Sequence, residues 1–145
     1  HATQAALDEG IVAGGGVALL KAKAAFLATI NTKDGTDKDE LLGAEILVNA
    51  IEKPFIQILI NAGIDKYHSI LDEVYRQQPN ENKGYDIKRK KIVDFIEEGI
   101  IDPTKVTRTA LENAVSVAGT MLITECTIVD DPDEKDEGGV MGMQM

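Results

Sequence analysis

Cysteine is all but missing from this chain: Cys126 stands alone among 145 residues. No intramolecular disulfide framework can form, and the composition fits a reducing compartment. Histidine is nearly as scarce. His68 has no second His or Cys near it in sequence, and His1 lies at the terminus, so neither can build a metal site or serve as a credible catalyst. Positive charge is short as well, with 15 Lys and Arg against 25 Asp and Glu and a net charge of −10. That balance argues against nucleic acid or an anionic membrane as the main partner. No apolar run approaches the roughly 20 residues of a membrane span. Two nucleotide fingerprints are also lacking. No G-x-x-x-x-G-K-[ST] pattern follows Gly14-Gly15-Gly16, and no G-x-G-x-x-G with an acidic partner occurs.

What the chain does have is helix-forming sequence. The stretch Gly99-Ile100-Ile101-Asp102-Pro103-Thr104-Lys105-Val106-Thr107-Arg108 organises the rest. Asp102 is a good N-cap and Pro103 suits a first helical turn. From there apolar residues recur at Val106, Ala110, Ala114, Val117 and Met121, with a second row at Leu111, Val115, Ala118 and Leu122. This wide stripe at helical period predicts a helix that forms the spine of a core. Residues 123–129 (ITECTIV) turn to β-branched types and read as a strand.

Upstream, residues 1–9 read as the end of a helix that Gly10 closes. Ile11-Val12-Ala13 is a short strand, and the three glycines turn the chain into an apolar helix from Val17 to about Thr29. Such a turn is the ordinary use of glycine; its functional use is to let backbone approach a flat ligand. Asp37 and Glu40 resemble a capping box before a helix through Leu41, Leu42, Ile46 and Leu47, and Pro54 must kink that helix or begin another. Both long apolar segments are expected to be core. A short helix follows through Tyr67, Leu71 and Val74, then a polar loop, a strand around Tyr85, and another short helix over 92–98. The run Lys88-Arg89-Lys90-Lys91 reads as a solvated face or salt-bridge surface. The acidic stretch from Asp130 and the Gly/Met-rich end carry no periodicity and read as a disordered tail.

Two blocks of this sequence resemble the group I chaperonins. One is His1-Ala2-Thr3 through Glu9-Gly10-Ile11-Val12-Ala13-Gly14-Gly15-Gly16-Val17-Ala18-Leu19. The other is 99–108 with the following Ala-Leu-Glu-Asn-Ala, Ala118-Gly119 and Thr124-Glu125-Cys126. They stand in the family's order at about its spacing. The resemblance implies a mainly α fold, a helical bundle of the chaperonin equatorial domain with a few short β-strands. Residues 1–9 would be the end of an intermediate-domain helix, 10–130 the C-terminal part of the equatorial domain, and 131–145 the tail.

The same resemblance implies a function: ATP-driven folding of unfolded client proteins, in a heptameric ring of copies of the subunit. The ring would work with a co-chaperonin held by an apical domain outside this chain, in a bacterial cytoplasm or an organelle matrix. The glycine matching Gly15 lies against adenine and ribose in that family, the aspartate matching Asp102 holds the ribose, and Asp86, Ile87 and Lys88 match residues that touch the base. Ile87 and Lys88 depart from the small residues common there. As an N-cap Asp102 uses one carboxylate oxygen, which leaves the other for ribose hydroxyls.

The family's Gly-Asp-Gly-Thr-Thr phosphate loop occurs nowhere in these residues. No catalytic or metal-binding residue can therefore be named, and Mg²⁺ would be held by parts of the subunit outside the chain. A chain that opens mid-pattern at His1 is expected to be a piece of something longer, inactive as an ATPase by itself. Residues 123–129 would be a subunit-contact strand, disordered or paired with another copy when its partners are missing. The rival reading is a non-enzymatic helical scaffold or oligomerisation module.

Overall fold

The computed structural model describes residues 1–31, 35, 37–77, 82–125 and 128. Among them the chain forms six helices and four short strands: α1 (Ala2–Glu9), β1 (Ile11–Ala13), α2 (Val17–Asn31), α3 (Lys38–Ala50), α4 (Lys53–Asn61), α5 (Tyr67–Gln77), β2 (Lys83–Asp86), β3 (Lys91–Asp94), β4 (Ile101–Pro103) and α6 (Thr104–Leu122). The fold is mainly α, as the sequence implies. It divides into two compact units, His1–Ala110 and Leu111–Met145. The second unit is described as the remainder of α6 and the few residues after it.

The first unit is built around an apolar core. Val17 and Leu20 of α2, Phe55, Ile56 and Leu59 of α4, and Leu71 and Val74 of α5 are buried together with Ala13, Val93 and Phe95. Local signals explain most of the boundaries. Gly10 adopts φ 79 at the end of α1, and Gly63 (φ 72) follows α4. Both positions favour a residue without Cβ. Asp37 caps α3, its carboxylate accepting from the Lys38 N–H at 2.8 Å. Pro54 stands in the first turn of α4, so the chain breaks between α3 and α4 rather than kinking.

Two antiparallel ribbons complete the unit. β1 pairs with β4, placing Val12 opposite Asp102, and β2 pairs with β3, placing Tyr85 opposite Ile92. The strands at Ile11–Ala13 and around Tyr85 thus occur where the sequence suggests them. Residues 92–98 do not form a helix. They continue β3 and then turn, because Asp94 accepts from the backbone N–H groups of Ile96 (2.9 Å) and Glu97 (3.1 Å) and bends the chain immediately after the strand.

Apolar periodicity does not translate into burial in α3 and α6. No residue of α6 or α3 is buried; Val117, Met121 and Leu122 are 59%, 67% and 80% exposed. A helical stripe marks surface suited to burial, but its period does not specify what covers it. The core belongs to α2, α4 and α5 instead. Residues 123–129 form no strand where they are described, at Ile123, Thr124, Glu125 and Ile128; Cys126, Thr127 and Val129 lie outside the described residues, as do 131–145. The Thr124 N–H donates to the Met121 carbonyl at 3.2 Å, and its hydroxyl to the Thr120 carbonyl at 2.7 Å. These helical-type bonds displace the extended backbone a strand needs.

A half-buried polar cluster joins three helices of the first unit. Glu52, at the α3–α4 junction, pairs with Lys23 of α2 and accepts from the Tyr75 hydroxyl of α5 at 2.6 Å. Burial alone would raise the Glu52 pKa. The hydrogen bonds from Lys23 and Tyr75 and the charges of Lys23 and Lys53 outweigh it, and the value falls below the usual 4.5. Burial and Glu52 together push the Tyr75 phenol well above its ordinary range, so it stays a donor. A carboxylate with a lowered folded pKa stabilises the fold above its unfolded value, and that stability is lost as pH falls through the folded value. Wild type should therefore melt above Glu52→Gln at pH 7, and the gap should close as the pH drops below about 4.5. Thermal melts of both proteins across pH 3–7 check this, and a gap that ignores pH would refute it.

Candidate functional site

Glycine 15 is the centre of the site because of what its backbone does. The turn 14–16 links β1 to α2, with Gly15 at φ 59 and Gly16 at φ 84, both in the left-handed region. A Cβ on Gly16 would come within 3.0 Å of the Phe55 backbone nitrogen, and one on Gly15 within 3.2 Å of the Phe95 ring. The turn is therefore pressed onto α4 and onto the residue that follows β3. Any side chain here would be strained in backbone and crowded in space.

Beside this turn lies a pocket of about 390 Å³. Phe55, Ile58, Leu59, Tyr85, Phe95 and Ile100 supply apolar walls. The remaining lining comes from Gly15, from the β2–β3 turn as Asp86, Ile87, Lys88 and Arg89, and from Glu98. Four of the five residues singled out in the sequence, Gly15, Asp86, Ile87 and Lys88, are thus brought to one cavity. Apolar walls with a few polar groups at one side are what a flat heterocycle requires.

The polar side has defined geometry. The Asp86 carboxylate accepts from the backbone N–H groups of Lys88 (2.8 Å) and Arg89 (3.2 Å), which folds the hairpin tip on itself. Lys90 takes the left-handed conformation (φ 54) that closes the turn. Arg89 forms an ion pair with Glu98 and keeps its Nε 3.6 Å from the other Asp86 oxygen. The hydrogen bond to Glu98 raises the Arg89 pKa further, with the charges of Glu98 and Asp86 adding to it, so the guanidinium is a fixed cation.

The fifth residue, Asp102, is not among those lining the pocket. It stands in β4, exposed, and a Cβ built on Gly14 would lie 3.3 Å from its Oδ2. Its carboxylate is thus one residue away from Gly15 along the turn. It does not cap α6. The Thr104 N–H, which a cap at Asp102 could have taken, donates to the Gly10 carbonyl at 3.0 Å and extends the β1–β4 pairing. Strand pairing displaces the cap, and among the described residues both carboxylate oxygens remain open to another donor.

Several lining residues have no signal in the sequence. Glu98 reads there as the end of a helix, and Arg89 as one of four cations on a solvated face. Only the Asp86–Arg89 spacing of three, common to Asx-turn and ion-pair geometry, could have drawn attention to the latter. Phe95 and Ile100 are recognisable as apolar, but their convergence on Gly15 depends on the β1–β4 and β2–β3 pairings.

A second polar group lies at the α1 end of the first unit. Asp8 pairs with Lys105 at 2.8 Å, and Glu9 takes two bonds from Arg108, at 2.6 and 3.0 Å. The Arg108 hydrogen bond lowers the Glu9 pKa, and the bond to Asp8 raises that of Lys105. No residue of α1 is buried, so these ion pairs are its main polar ties to α6. Among the described residues no group of three His, Cys, Asp or Glu could hold a metal ion, and no helix is long and apolar enough to cross a membrane.

Two comparisons with known proteins bear on this geometry. The model of the TCP-1/cpn60 chaperonin family matches residues 1–132. Among solved structures, the open-state monomer of a group II chaperonin from Methanococcoides burtonii superposes with a TM-score of 0.68 at 23% sequence identity. That match covers 79% of this chain and 28% of the other. The likeness is one of fold, and the chain spans little more than a quarter of the length of that neighbour.

Proposed function

The chain belongs to the TCP-1/cpn60 chaperonin family, and on that premise we propose that it supplies the adenine and ribose side of the ATP site in a ring-forming, ATP-driven chaperonin. The observation that carries this is the convergence of Gly15, Asp86, Ile87 and Lys88 on one apolar pocket, with the uncapped Asp102 carboxylate one residue beyond Gly15. In this reading the base lies between the Gly15 backbone and the hairpin tip, and Asp102 accepts from the ribose hydroxyls. The residues present fit a nucleoside. Nothing among them cradles phosphate, so phosphate and Mg²⁺ belong to other parts of the subunit, where the activated water and hydrolysis also reside.

The finer assignments follow the resemblance. Residues 1–9 are the end of an intermediate-domain helix, 10–130 the C-terminal part of the equatorial domain, and 131–145 its tail. The subunit is of group I, on the strength of the blocks around Gly15 and Asp102. It assembles with copies of itself in a heptameric ring, folds unfolded clients, works with a co-chaperonin, and resides in a bacterial cytoplasm or an organelle matrix.

The direct test is an amide NMR titration of this chain with adenosine. Shifts are expected at Gly15, Ile87 and Ile100, while Leu20 and Val74 of the core stay still. The pure chain should release no phosphate from ATP above background. Adenosine in large excess that moves none of the pocket resonances would leave a helical scaffold without nucleotide binding as the better reading.

A further inference from the structure

We infer that Glu98, clamped by Arg89, is the residue that reads the edge of the base, accepting a hydrogen bond from an exocyclic amine. The inference rests on the proposal that the pocket takes a nucleoside, and it adds the group that sets base selectivity.

Few side chains at the pocket can accept a hydrogen bond from a ligand. Asp86 lines it, but one oxygen already accepts two backbone N–H groups, and its side chain is only 12% exposed against 35% for Glu98, with the other oxygen 3.6 Å from the Arg89 Nε. Lys88 is a donor only and is exposed, and the Tyr85 hydroxyl both donates and accepts, so neither is a dedicated acceptor. Arg89 is committed to Glu98 and Asp86. Glu98 lines the pocket, gives one oxygen, Oε2, to Arg89, and has no other side-chain partner among the described residues. Its second oxygen, Oε1, is therefore the acceptor left at the wall.

The clamp matters chemically. A carboxylate covered by a flat ligand loses water, a cost that rises sharply unless a counter-charge stays beside it. Arg89 provides that charge from the same side of the cavity, fixed in turn by Asp86. The pair also joins the tip of the β2–β3 hairpin to the turn beyond β3, so the acceptor is held in place before any ligand arrives. An anionic acceptor suits an amine N–H and repels a carbonyl oxygen. Adenine carries an amine at its 6-position and hypoxanthine a carbonyl, so the site should separate adenosine from inosine.

The experiment is a pair of amide NMR titrations, adenosine and inosine, on the full chain and on Glu98→Gln. The wild-type chain should bind adenosine roughly tenfold more tightly than inosine, as expected for a hydrogen bond to a charged acceptor at a partly exposed wall. Glu98→Gln keeps the shape, but its amide can donate as well as accept, so the preference should fall to within about twofold. Unmoved resonances of Leu20 and Val74 would show that the variant keeps the fold. Equal binding of the two nucleosides to wild type, or a preference that survives Glu98→Gln, overturns the assignment of Glu98. Equal weakening of both in the variant does so too, since that would be a merely structural role. If neither nucleoside moves the Gly15 and Ile87 resonances, the nucleoside reading itself fails, and Glu98 has no base to read.

Discussion

Replacing Gly84 by alanine is expected to lower the melting temperature by roughly 7–13 °C, the cost of a misfit of about 2–3 kcal/mol in a domain of this size. Gly84 is buried in β2, opposite Val93. A Cβ there would lie 2.5 Å from the Phe95 Cζ and 2.6 Å from the Val17 Cγ2. Both neighbours are core side chains, exposed by only 4% and 0%, so neither can swing into solvent. Close-packed interiors absorb such intrusions only by moving backbone or forcing rotamers. The backbone of Gly84 is not left-handed, so the effect is contact alone and separable from conformational strain. Gly43 makes the control. It lies within α3, is exposed, and a Cβ there meets nothing within 4 Å. Gly43→Ala should raise stability by about 0.5–1 kcal/mol, because alanine loses less conformational freedom in a helix than glycine. Thermal or urea melts of the two variants would thus move in opposite directions. A Gly84→Ala protein that melts with wild type would show that Phe95 has room the structure does not reveal.

The same residue illustrates why the site was only partly legible in the sequence. Gly84 carries no local signal of its importance: it sits in an ordinary strand, and its small size is dictated by Val17 and Phe95, 67 and 11 positions away. The elements that rest on local chemistry were readable. Gly10 marks a helix end, Asp37 a helix start, and Pro54 a break, because each acts through its own backbone or the next turn. Periodicity was a weaker guide. It correctly assigns helix to 104–122 and 38–50, yet it implies burial for α3 and α6, where no residue is buried. Burial is a property of two surfaces, and one sequence stripe describes only one of them. Residues 92–98 failed for a different reason: apolar residues at Ile92, Phe95 and Ile96 fit a helical spacing, while pairing with β2 and the Asp94 turn decide for a strand and bend. Of the site, Gly15, Asp86, Ile87, Lys88 and Asp102 came from resemblance to a family. Arg89 and Glu98 came only from geometry, since an ion pair between two turns leaves no pattern in either.

Asp102→Ala should weaken adenosine binding about ten- to a hundredfold while leaving the melting temperature nearly unchanged. The first half follows from the role proposed for the carboxylate, since a hydrogen bond to a charged group contributes about 1.5–3 kcal/mol. The second half follows from the β1–β4 pairing. Had Asp102 been the N-cap of α6, alanine would cost a further ~1 kcal/mol of stability. The Thr104 N–H donates to Gly10 instead, and Asp102 is exposed, so an effect within about 0.5 kcal/mol is expected. Binding and stability should therefore separate in one variant. The ligand can be varied in the same way. Adenosine and 2′,3′-dideoxyadenosine share a base and differ in the vicinal hydroxyls that Asp102 would accept from. Wild type should prefer adenosine by the same factor that Asp102→Ala loses, and the variant should bind the two alike. The combination is demanding, because a purely electrostatic effect of removing one negative charge would shift both nucleosides equally. If the variant loses stability and affinity together, Asp102 acts through the helix after all. If dideoxyadenosine binds wild type as tightly as adenosine, the carboxylate makes no contact with ribose, and the open oxygens of Asp102 face only water.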